Sequence, residues 1–170
     1  MEHLPPELEG WFGERGWRVR SHQRGMLAAA RAGRHALLVA DTGAGKTLAG
    51  FLPTLAAFCP SVLAGASPHD GLHTLYISPL KALAHDVQRG LLAPIAELDL
   101  PIRVETRSGD TPSDRKARQR ARPPHVLLTT PESLSLLLSY PESAELFAGL
   151  QRIVIDEVHA FATGKRGDLL

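Results

Sequence analysis

The stretch ALLVADTGAGKT, residues 36–47, decides the fold class of this chain. Its first part, Ala36–Ala40, is apolar, and the run that follows the stretch, Leu48–Phe58, has the composition of a buried helix. A strand that passes through a glycine-containing loop into a helix is the setting in which a phosphate-binding loop is credible. The sequence therefore predicts a strand at Ala36–Ala40, a phosphate loop after it and a helix at Leu48–Phe58.

The residue types in this loop fit the chemistry of a nucleoside triphosphate. Gly43 and Gly45 leave room for backbone N–H groups to turn toward phosphates, and the positive end of the next helix adds to the attraction. We expect Lys46 to reach the β- and γ-phosphates and the Thr47 hydroxyl to bind Mg2+. The structural alternative is a glycine-rich turn without a ligand. The loop residues expected to hold ATP are Thr42, Gly43, Ala44, Gly45, Lys46 and Thr47.

A second motif, RIVIDEVH at residues 152–159, places two adjacent carboxylates after an apolar strand. Ligands of open α/β sheets bind at this carboxyl-terminal edge. We expect Asp156 to hold Mg2+, directly or through water, and Glu157 to position and activate the water that attacks the γ-phosphate. An Asp-Glu pair alone is weak evidence, but the phosphate loop upstream strengthens it. The predicted catalytic residues are Glu157, Lys46 and Asp156.

Apolar runs alternate with amphipathic segments, which predicts an α/β domain with a parallel sheet and helices on both faces. The helical segments are Gln23–Ala32, which Gly33 ends, and a long run from Leu80 to Leu98 with apolar residues at three- and four-residue spacing. Pro60–Gly71 is rich in turn-forming residues and predicts a loop. The predicted strands besides Ala36–Ala40 are Thr74–Ile77, Ile102–Glu105, Val126–Thr129 and Arg152–Ile155.

The composition is that of a globular protein, with 44% hydrophobic and 22% charged residues. No apolar run approaches the roughly 20 residues that span a bilayer, and the proline-broken, acidic N-terminus does not resemble a signal peptide. Cys59 is the single cysteine, and the histidines do not occur at metal-ligand spacing. These features predict a cytoplasmic protein without a structural metal.

The net charge of +1 says little about partners, but the basic residues are unevenly distributed. Five of them fall within residues 115–122. Charge runs of this kind are usually a solvated helix face, and the alternative is a surface that flanks a nucleic-acid channel. The five are Arg115, Lys116, Arg118, Arg120 and Arg122.

The sequence DEVH at residues 156–159 resembles the DExH box of superfamily 2 helicases. Three further motifs precede it, in the order that is found in that superfamily. Ala40, in the place of the usual first glycine of the phosphate loop, is also typical of it. The motifs SPLKAL at 78–83, RSGDT at 107–111 and TPESL at 130–134 resemble those that contact the nucleic-acid strand. The closest resemblance is to the large helicase-related group, especially the ligase-associated DEXH-box helicases of bacterial DNA repair. The residues so implied in nucleic-acid contact are Ser78, Pro79, Lys81, Gly109, Asp110, Thr111, Thr130, Pro131 and Glu132.

These lesser motifs each have a structural interpretation as well. A proline just after Ser78 or Thr130 is typical of a helix start, and Gly109-Asp110 is typical of a plain turn.

Three residues outside those motifs are open to two interpretations. Gln23 resembles the glutamine that reads the adenine edge, since its amide both donates and accepts; the alternative is a surface glutamine on a helix. Trp17, with Arg18, either flanks the base or packs as a buried aromatic residue. His159 either couples the ATP state to DNA grip or is a structural histidine.

The resemblance implies a RecA-like P-loop NTPase domain, truncated at the C-terminus. Residues 1–170 would be an incomplete first RecA-like domain, with residues 1–33 as a helical lead-in on the adenine side. It further implies a 3′-to-5′ translocase on single-stranded or partly duplex DNA that uses ATP and Mg2+ in DNA repair, with DNA ligase and nuclease as possible partners.

In this superfamily a second RecA-like domain completes hydrolysis, and a Ser-Ala-Thr strand couples it to unwinding. Neither falls within these 170 residues. Residues 1–170 alone are therefore expected to bind nucleotide weakly at most and not to unwind. Robust DNA-stimulated turnover by this piece would contradict that expectation.

Three rival functions stay open. An RNA helicase of the same superfamily would share every phosphate motif, because a 2′-hydroxyl contact cannot be read from these residues. A P-loop ATPase that is not a helicase would lack the ordered strand-contacting motifs. A binding-only module would grip nucleic acid through residues 115–122, with salt-sensitive binding that ATP does not change.

Overall fold

The computed structural model describes residues 3–41, 43–66, 70–79 and 87–161. The chain divides into two compact units, which are treated separately below. The first unit is Met1–Pro68 with Ala84–Pro101, and the second is His69–Leu83 with Ile102–Leu170.

The first unit is helical. Its most apolar helix is α3, in which the side chains of Phe51, Leu52 and Leu55 are fully buried. Helix α2 packs along α3, and α1 contributes the buried Leu8 and Trp11. The elements are α1 Pro6–Glu14, α2 Ser21–Arg31, α3 Lys46–Ala57, α4 Pro60–Leu63, a π-helical turn Gln88–Leu92 and α5 Ala93–Glu97.

Cys59 lies just after α3, and its side chain is completely buried. Its thiol donates to the carbonyl oxygen of Leu55 at 3.4 Å. Burial raises the pKa of the Cys59 thiol to about 12, and the nearby charge of Glu7 acts in the same direction. The thiol is therefore protonated and shielded at neutral pH.

The second unit is a four-stranded parallel sheet with short helices. The strands lie in the order β2-β3-β1-β4, and Thr74 of β1 stands beside Val126 on one side and Arg152 on the other. Every residue of β1 and β3 is buried, as continuous apolar strands in parallel sheets usually are. The elements are β1 Thr74–Ile77, β2 Val104–Arg107, α6 Ser113–Ala121, β3 Val126–Thr129, α7 Pro131–Leu138, α8 Ser143–Phe147, β4 Arg152–Ile155 and α9 Val158–Phe161.

One hydrophobic cluster holds the sheet to the helices of this unit. Strands β1 and β3 contribute side chains from one side, and α7, α8 and α9 contribute from the other. The cluster consists of Leu72, Leu75, Ile77, Leu127, Leu134, Leu137, Leu146 and Phe161.

The predicted parallel α/β class is confirmed, and three of the predicted strands form at their predicted bounds. The strand predicted at Ile102–Glu105 forms two residues later, as Val104–Arg107. The strand predicted at Ala36–Ala40 is wrong, because these residues belong to no strand and Leu37 and Val39 are 76% and 85% exposed. An apolar run becomes a strand only where a neighbouring strand pairs with it, and the described residues of the first unit form no sheet.

The helix predictions need two corrections. Pro60–Gly71 was predicted as a loop but begins with the short helix α4, in which Pro60 occupies the first turn. The predicted helix Leu80–Leu98 can be followed only from Val87, since residues 80–86 lie outside the described residues. It contains a π-helical turn before α5, and Pro94 explains it, because proline has no N–H to donate to the carbonyl four residues earlier.

The end predicted for the helix near Gln23 is confirmed. Helix α2 stops at Arg31, and Gly33 takes a left-handed conformation with φ of 64°. Among the described residues, no helix is both long enough and apolar enough to cross a membrane.

Candidate active site

The predicted phosphate loop lies in the first unit and is bent by two glycines. Gly43 has φ of 80° and Gly45 has φ of 76°, a region that favours glycine, and α3 begins immediately afterwards at Lys46. A Cβ added to Gly45 would lie 3.1 Å from Nε2 of Gln23. The left-handed backbone therefore favours glycine at position 45, and a larger residue would also press on the Gln23 amide. Thr42 lies outside the described residues.

Lys46 folds back over the loop that precedes it. Its ammonium group donates to the carbonyl oxygens of Ala40 at 2.8 Å and Asp41 at 3.0 Å. The Ala44 N–H donates to the same Asp41 carbonyl at 3.1 Å. The lysine is thus held by backbone acceptors at the start of α3, where the helix dipole also favours an anionic ligand.

The start of α2 lies against the same loop. Gln23 is buried, and its Oε1 accepts from the Arg20 N–H at 2.9 Å. The alternative of a surface glutamine is therefore wrong. His22 Nε2 lies 3.0 Å from the Ala44 carbonyl oxygen, and the Arg20 guanidinium donates to the Gly43 carbonyl at 3.4 Å. These two contacts of His22 and Arg20 were not predicted, because nothing in the local pattern distinguishes them from surface residues.

Trp17 lies just before α2 and is 45% exposed. Its ring meets the Trp11 ring edge to face at 5.6 Å. The Arg15 guanidinium lies 4.3 Å from the centre of the Trp11 ring and also pairs with Glu97. Trp17 is therefore packed against Trp11 but remains partly exposed, so it is not the buried aromatic residue of the structural alternative.

The carboxylate pair lies in the second unit, directly after β4. The Asp156 N–H donates to the Ile77 carbonyl at 2.9 Å and extends the β1–β4 ladder by one residue. Both oxygens of its carboxylate accept a hydrogen bond, Oδ1 from the Glu157 N–H at 2.9 Å and Oδ2 from the Tyr76 hydroxyl. The predicted metal-binding carboxylate is therefore held in one orientation.

Glu157 has an unusual backbone conformation. Its φ is 52°, which for a residue with a Cβ costs of order 1–3 kcal/mol and tends to occur at functional sites. Its side chain is 46% exposed, and Oε2 lies 3.3 Å from His159 Nε2. His159 is itself 82% exposed. The structure brings the predicted water-activating residue and the predicted coupling residue together.

The three motifs that are predicted to contact nucleic acid come directly after the other three β-strands. Ser78 comes after β1, Gly109 after β2 and Thr130 after β3, while Asp156 comes after β4. Because all four strands are parallel, their carboxyl ends meet at the same edge of the sheet. The residues that the sequence separates by tens of positions therefore share one edge of the second unit.

The structural interpretations of these motifs also describe real contacts. The Thr130 hydroxyl accepts from the Ser133 N–H at 3.4 Å at the start of α7, where Pro131 occupies the first turn. The Thr111 hydroxyl accepts from the Ser108 N–H at 2.9 Å and closes the Gly109-Asp110 turn. Ser78, Pro79 and Pro131 are buried, Thr130 and Glu132 are partly buried, and Lys81 lies outside the described residues.

The basic run at residues 115–122 lies mostly on α6 and is partly neutralised. Arg115 and Arg118 pair with Glu105 of β2 at 3.4 and 3.0 Å. Arg120 lies 4.2 Å from the centre of the Tyr140 ring. Burial raises the pKa of Glu105, but hydrogen bonds from Gln119, Arg118 and Arg115 lower it by more, so its pKa lies below the usual range. Part of the run therefore ties α6 to the sheet.

Glu105→Gln is expected to lower the free energy of unfolding by about 0.2–1 kcal/mol at pH 7, the usual range for solvent-exposed ion pairs. Because the pKa of Glu105 is lower in the folded protein, its contribution is present above the ordinary value, about 4.3, and is lost as the pH falls below it. Urea unfolding at pH 7 and in acid measures the difference. An equal effect at both pH values would show that packing, not charge, is responsible.

Two features define the phosphate-loop α/β class of nucleotide-binding proteins. One is a loop with two left-handed glycines that leads into a helix and carries a lysine folded over it. The other is an Asp-Glu pair at the carboxyl-terminal edge of a parallel sheet. Comparison with protein families narrows the class. The DEAD/DEAH box helicase family matches residues 20–170, and the chain belongs to that family.

The similar proteins include Lhr helicases. The ATP-dependent helicase Lhr-Core of Methanothermobacter thermautotrophicus is 36% identical over 96% of this chain and 20% of its own length. The structure of Mycobacterium smegmatis helicase Lhr bound to ssDNA and AMP-PNP has a TM-score of 0.82 and 36% identity, and covers 98% of this chain and 22% of that one. The DUF1998 helicase MrfA bound to DNA and AMPPNP has a TM-score of 0.76 and 28% identity, over 93% of this chain and 21% of that one.

These comparisons confirm the RecA-like helicase fold and the resemblance to the large helicase-related group. The chain spans about a fifth of the length of the Lhr-Core relative.

Proposed function

We propose that this chain is the ATP-binding part of an ATP-dependent DNA helicase or translocase. The observation that carries the proposal is the shared sheet edge, where Asp156 and the three strand-contacting motifs follow four parallel strands. A motor that couples ATP hydrolysis to movement along a strand needs both kinds of residue on one rigid scaffold. We further propose that residues 1–170 belong to a first RecA-like domain, with residues 1–33 as its lead-in on the adenine side.

The first unit would supply the nucleotide-binding residues. Gln23 lies against the loop and would read the adenine edge with its amide. The loop from Thr42 to Thr47 would hold the phosphates, with the Lys46 ammonium leaving its two backbone carbonyls for the β- and γ-phosphates. The Thr47 hydroxyl would bind Mg2+.

The second unit would supply the carboxylates. Mg2+ prefers hard oxygen ligands and is commonly held by one or two carboxylates together with substrate phosphates. The partly exposed Asp156 carboxylate, held by two donors, fits that requirement. When bound, the metal ion would neutralise charge on the phosphates. Glu157 would orient and deprotonate the attacking water, and His159 would link its position to the grip on the strand.

The nucleic acid is proposed to be single-stranded or partly duplex DNA, because two similar structures hold DNA. Ser78, Gly109 and Thr130, with their motif neighbours, would contact its backbone. The 3′-to-5′ direction, the role in DNA repair and the ligase and nuclease partners are proposed from the family resemblance alone. The cytoplasmic location is proposed from the composition and the cysteine content of the sequence.

ATP hydrolysis by the full-length gene product, with and without single-stranded DNA or matched RNA, tests this function. We expect turnover to rise with DNA more than with RNA. Stimulation by RNA alone would support an ATP-driven helicase but would show that its substrate is RNA and not DNA. No stimulation by either would contradict the helicase function and leave an ATPase.

A binding-only module is the second candidate, through the basic run at residues 115–122. The pairing of Arg115 and Arg118 with Glu105 counts against it, since those charges are already partly compensated. Salt-sensitive DNA binding that ATP leaves unchanged would favour it instead.

A further inference from the structure

Tyr76 is the side chain that contacts Asp156 from the neighbouring strand. Its ring is 1% exposed in the middle of β1, while its hydroxyl reaches the sheet edge and donates to Oδ2 of Asp156. Tyrosine is suited to such a place, because its body can be buried while its polar tip finds a partner at the boundary. The sequence places this residue in the predicted strand Thr74–Ile77 but assigns it no role at the site.

Three hydrogen bonds hold Asp156 in place, one through its backbone N–H and two through its carboxylate oxygens. Tyr76 is paired in register with Val154, so its hydroxyl spans the distance from the body of the sheet to Asp156 beyond the end of β4. The Ile77 carbonyl accepts the Asp156 N–H, and the Glu157 N–H holds the second oxygen, Oδ1. The terminal torsion of an aspartate is broad and roughly two-fold, so without the tyrosine one oxygen would lose its fixed direction.

Both carboxylate oxygens keep capacity for another ligand. An ionised carboxylate offers about four acceptor sites, and among the described residues two of them are used, by the Tyr76 hydroxyl and the Glu157 N–H. Carboxylates that bind metal ions are commonly hydrogen-bonded by a second layer of groups, and loss of such a group weakens metal affinity or activity by about 10–100-fold.

We propose that Tyr76 is a positioning residue that orients the Asp156 carboxylate for Mg2+. The inference rests on the proposed function, in which Asp156 binds the metal ion of the ATP complex. Tyr76 itself touches neither nucleotide nor metal; it acts by holding Oδ2 so that the remaining acceptor sites face a fixed direction. A purely structural tyrosine would matter for stability and leave metal affinity unchanged.

The test is Tyr76→Phe in the full-length gene product, with Tyr140→Phe as the matched control. The chain has two tyrosines, and Tyr140 lies in the same unit, with the Arg120 guanidinium 4.2 Å from the centre of its ring. Mn2+ serves as the metal probe in place of Mg2+, and its binding in the presence of ADP is followed by electron paramagnetic resonance. Fluorescent ADP binding without metal and thermal unfolding are measured beside it.

We expect Tyr76→Phe to weaken Mn2+ binding about tenfold or more, with metal-free ADP affinity unchanged, and Tyr140→Phe to leave Mn2+ binding as in the wild type. Equal Mn2+ affinity in wild type and Tyr76→Phe would overturn the positioning role, whatever the loss of thermal stability. Asp156→Asn tests the proposed metal site separately from the positioning role of Tyr76. If it leaves Mn2+ binding intact, the proposed metal site is wrong and the role of Tyr76 is overturned with it.

Discussion

Glu157→Gln is expected to lower ATP hydrolysis by the full-length gene product about 10²–10⁴-fold, the usual contribution of a general base. Glutamine keeps the length and shape of the side chain but cannot accept a proton from water. ATP binding should change by less than about threefold, because the proposed phosphate and adenine contacts come from the first unit. DNA-stimulated turnover and equilibrium binding of a fluorescent ATP analogue measure the two effects.

The local structure explains why a small change is expected to have a selective effect. Glu157 is already in a left-handed conformation, and glutamine meets the same backbone cost. Its N–H continues to donate to Asp156, so the metal-binding carboxylate keeps that support. Glu145→Gln, an exposed change on α8, is the matched control and should leave turnover unaltered. If Glu157→Gln hydrolyses ATP at the wild-type rate, the base is another residue.

Gly90→Val is expected to weaken ATP binding about tenfold and to lower the free energy of unfolding by about 1–3 kcal/mol, as overpacking does. Gly90 lies in the π-helical turn, where a Cβ would meet the Leu48 nitrogen at 3.1 Å and Cγ2 of Thr47 at 3.3 Å. Valine adds two methyl groups to that contact. The strain is relieved most easily by moving the first turn of α3, which carries the proposed Mg2+ ligand Thr47.

Gly25→Val is the control for this substitution. Gly25 is an exposed helical glycine in α2 with no atom within 4 Å of an added Cβ, so the same change there alters only helix propensity. Isothermal titration with ATP and chemical unfolding follow both variants. The packing argument fails if Gly90→Val and Gly25→Val bind ATP equally well.

Much of the candidate site could be predicted because its residues form contiguous motifs. Lys46, Asp156 and Glu157 each lie within a short run whose spacing implies phosphate or metal chemistry. The sharing of one sheet edge also follows from sequence, since apolar runs that end in polar motifs predict parallel strands with a common carboxyl-terminal edge. Their roles stay predictions until the experiments above are done.

The residues that sequence reasoning missed act across the fold. Tyr76 contacts Asp156 from the neighbouring strand, 80 positions away, and His22 contacts the Ala44 carbonyl from another helix. Gly90 approaches Thr47 through a π-helical turn that 3.6-residue periodicity cannot anticipate. Each of these contacts depends on tertiary packing, which no local window contains.

The strand predicted at Ala36–Ala40 is a case in which the local sequence predicts an element that does not form. Its apolar composition is right for a buried strand, yet Leu37 and Val39 are largely exposed. Strand formation depends on a hydrogen-bonding neighbour, and composition alone does not supply one. The helices α2 and α3 were predicted more closely, because their hydrogen bonds lie within the segment itself.

The buried thiol of Cys59 makes the protein convenient for site-directed labelling. Maleimide and iodoacetamide dyes react with thiolates, and this thiol is both enclosed and protonated at neutral pH. A cysteine introduced at an exposed position, such as Ala117 on α6, is therefore the one that takes the dye while the protein stays folded. For residues 1–170, no cysteine-free background has to be built first, and the unmodified chain serves as its own blank.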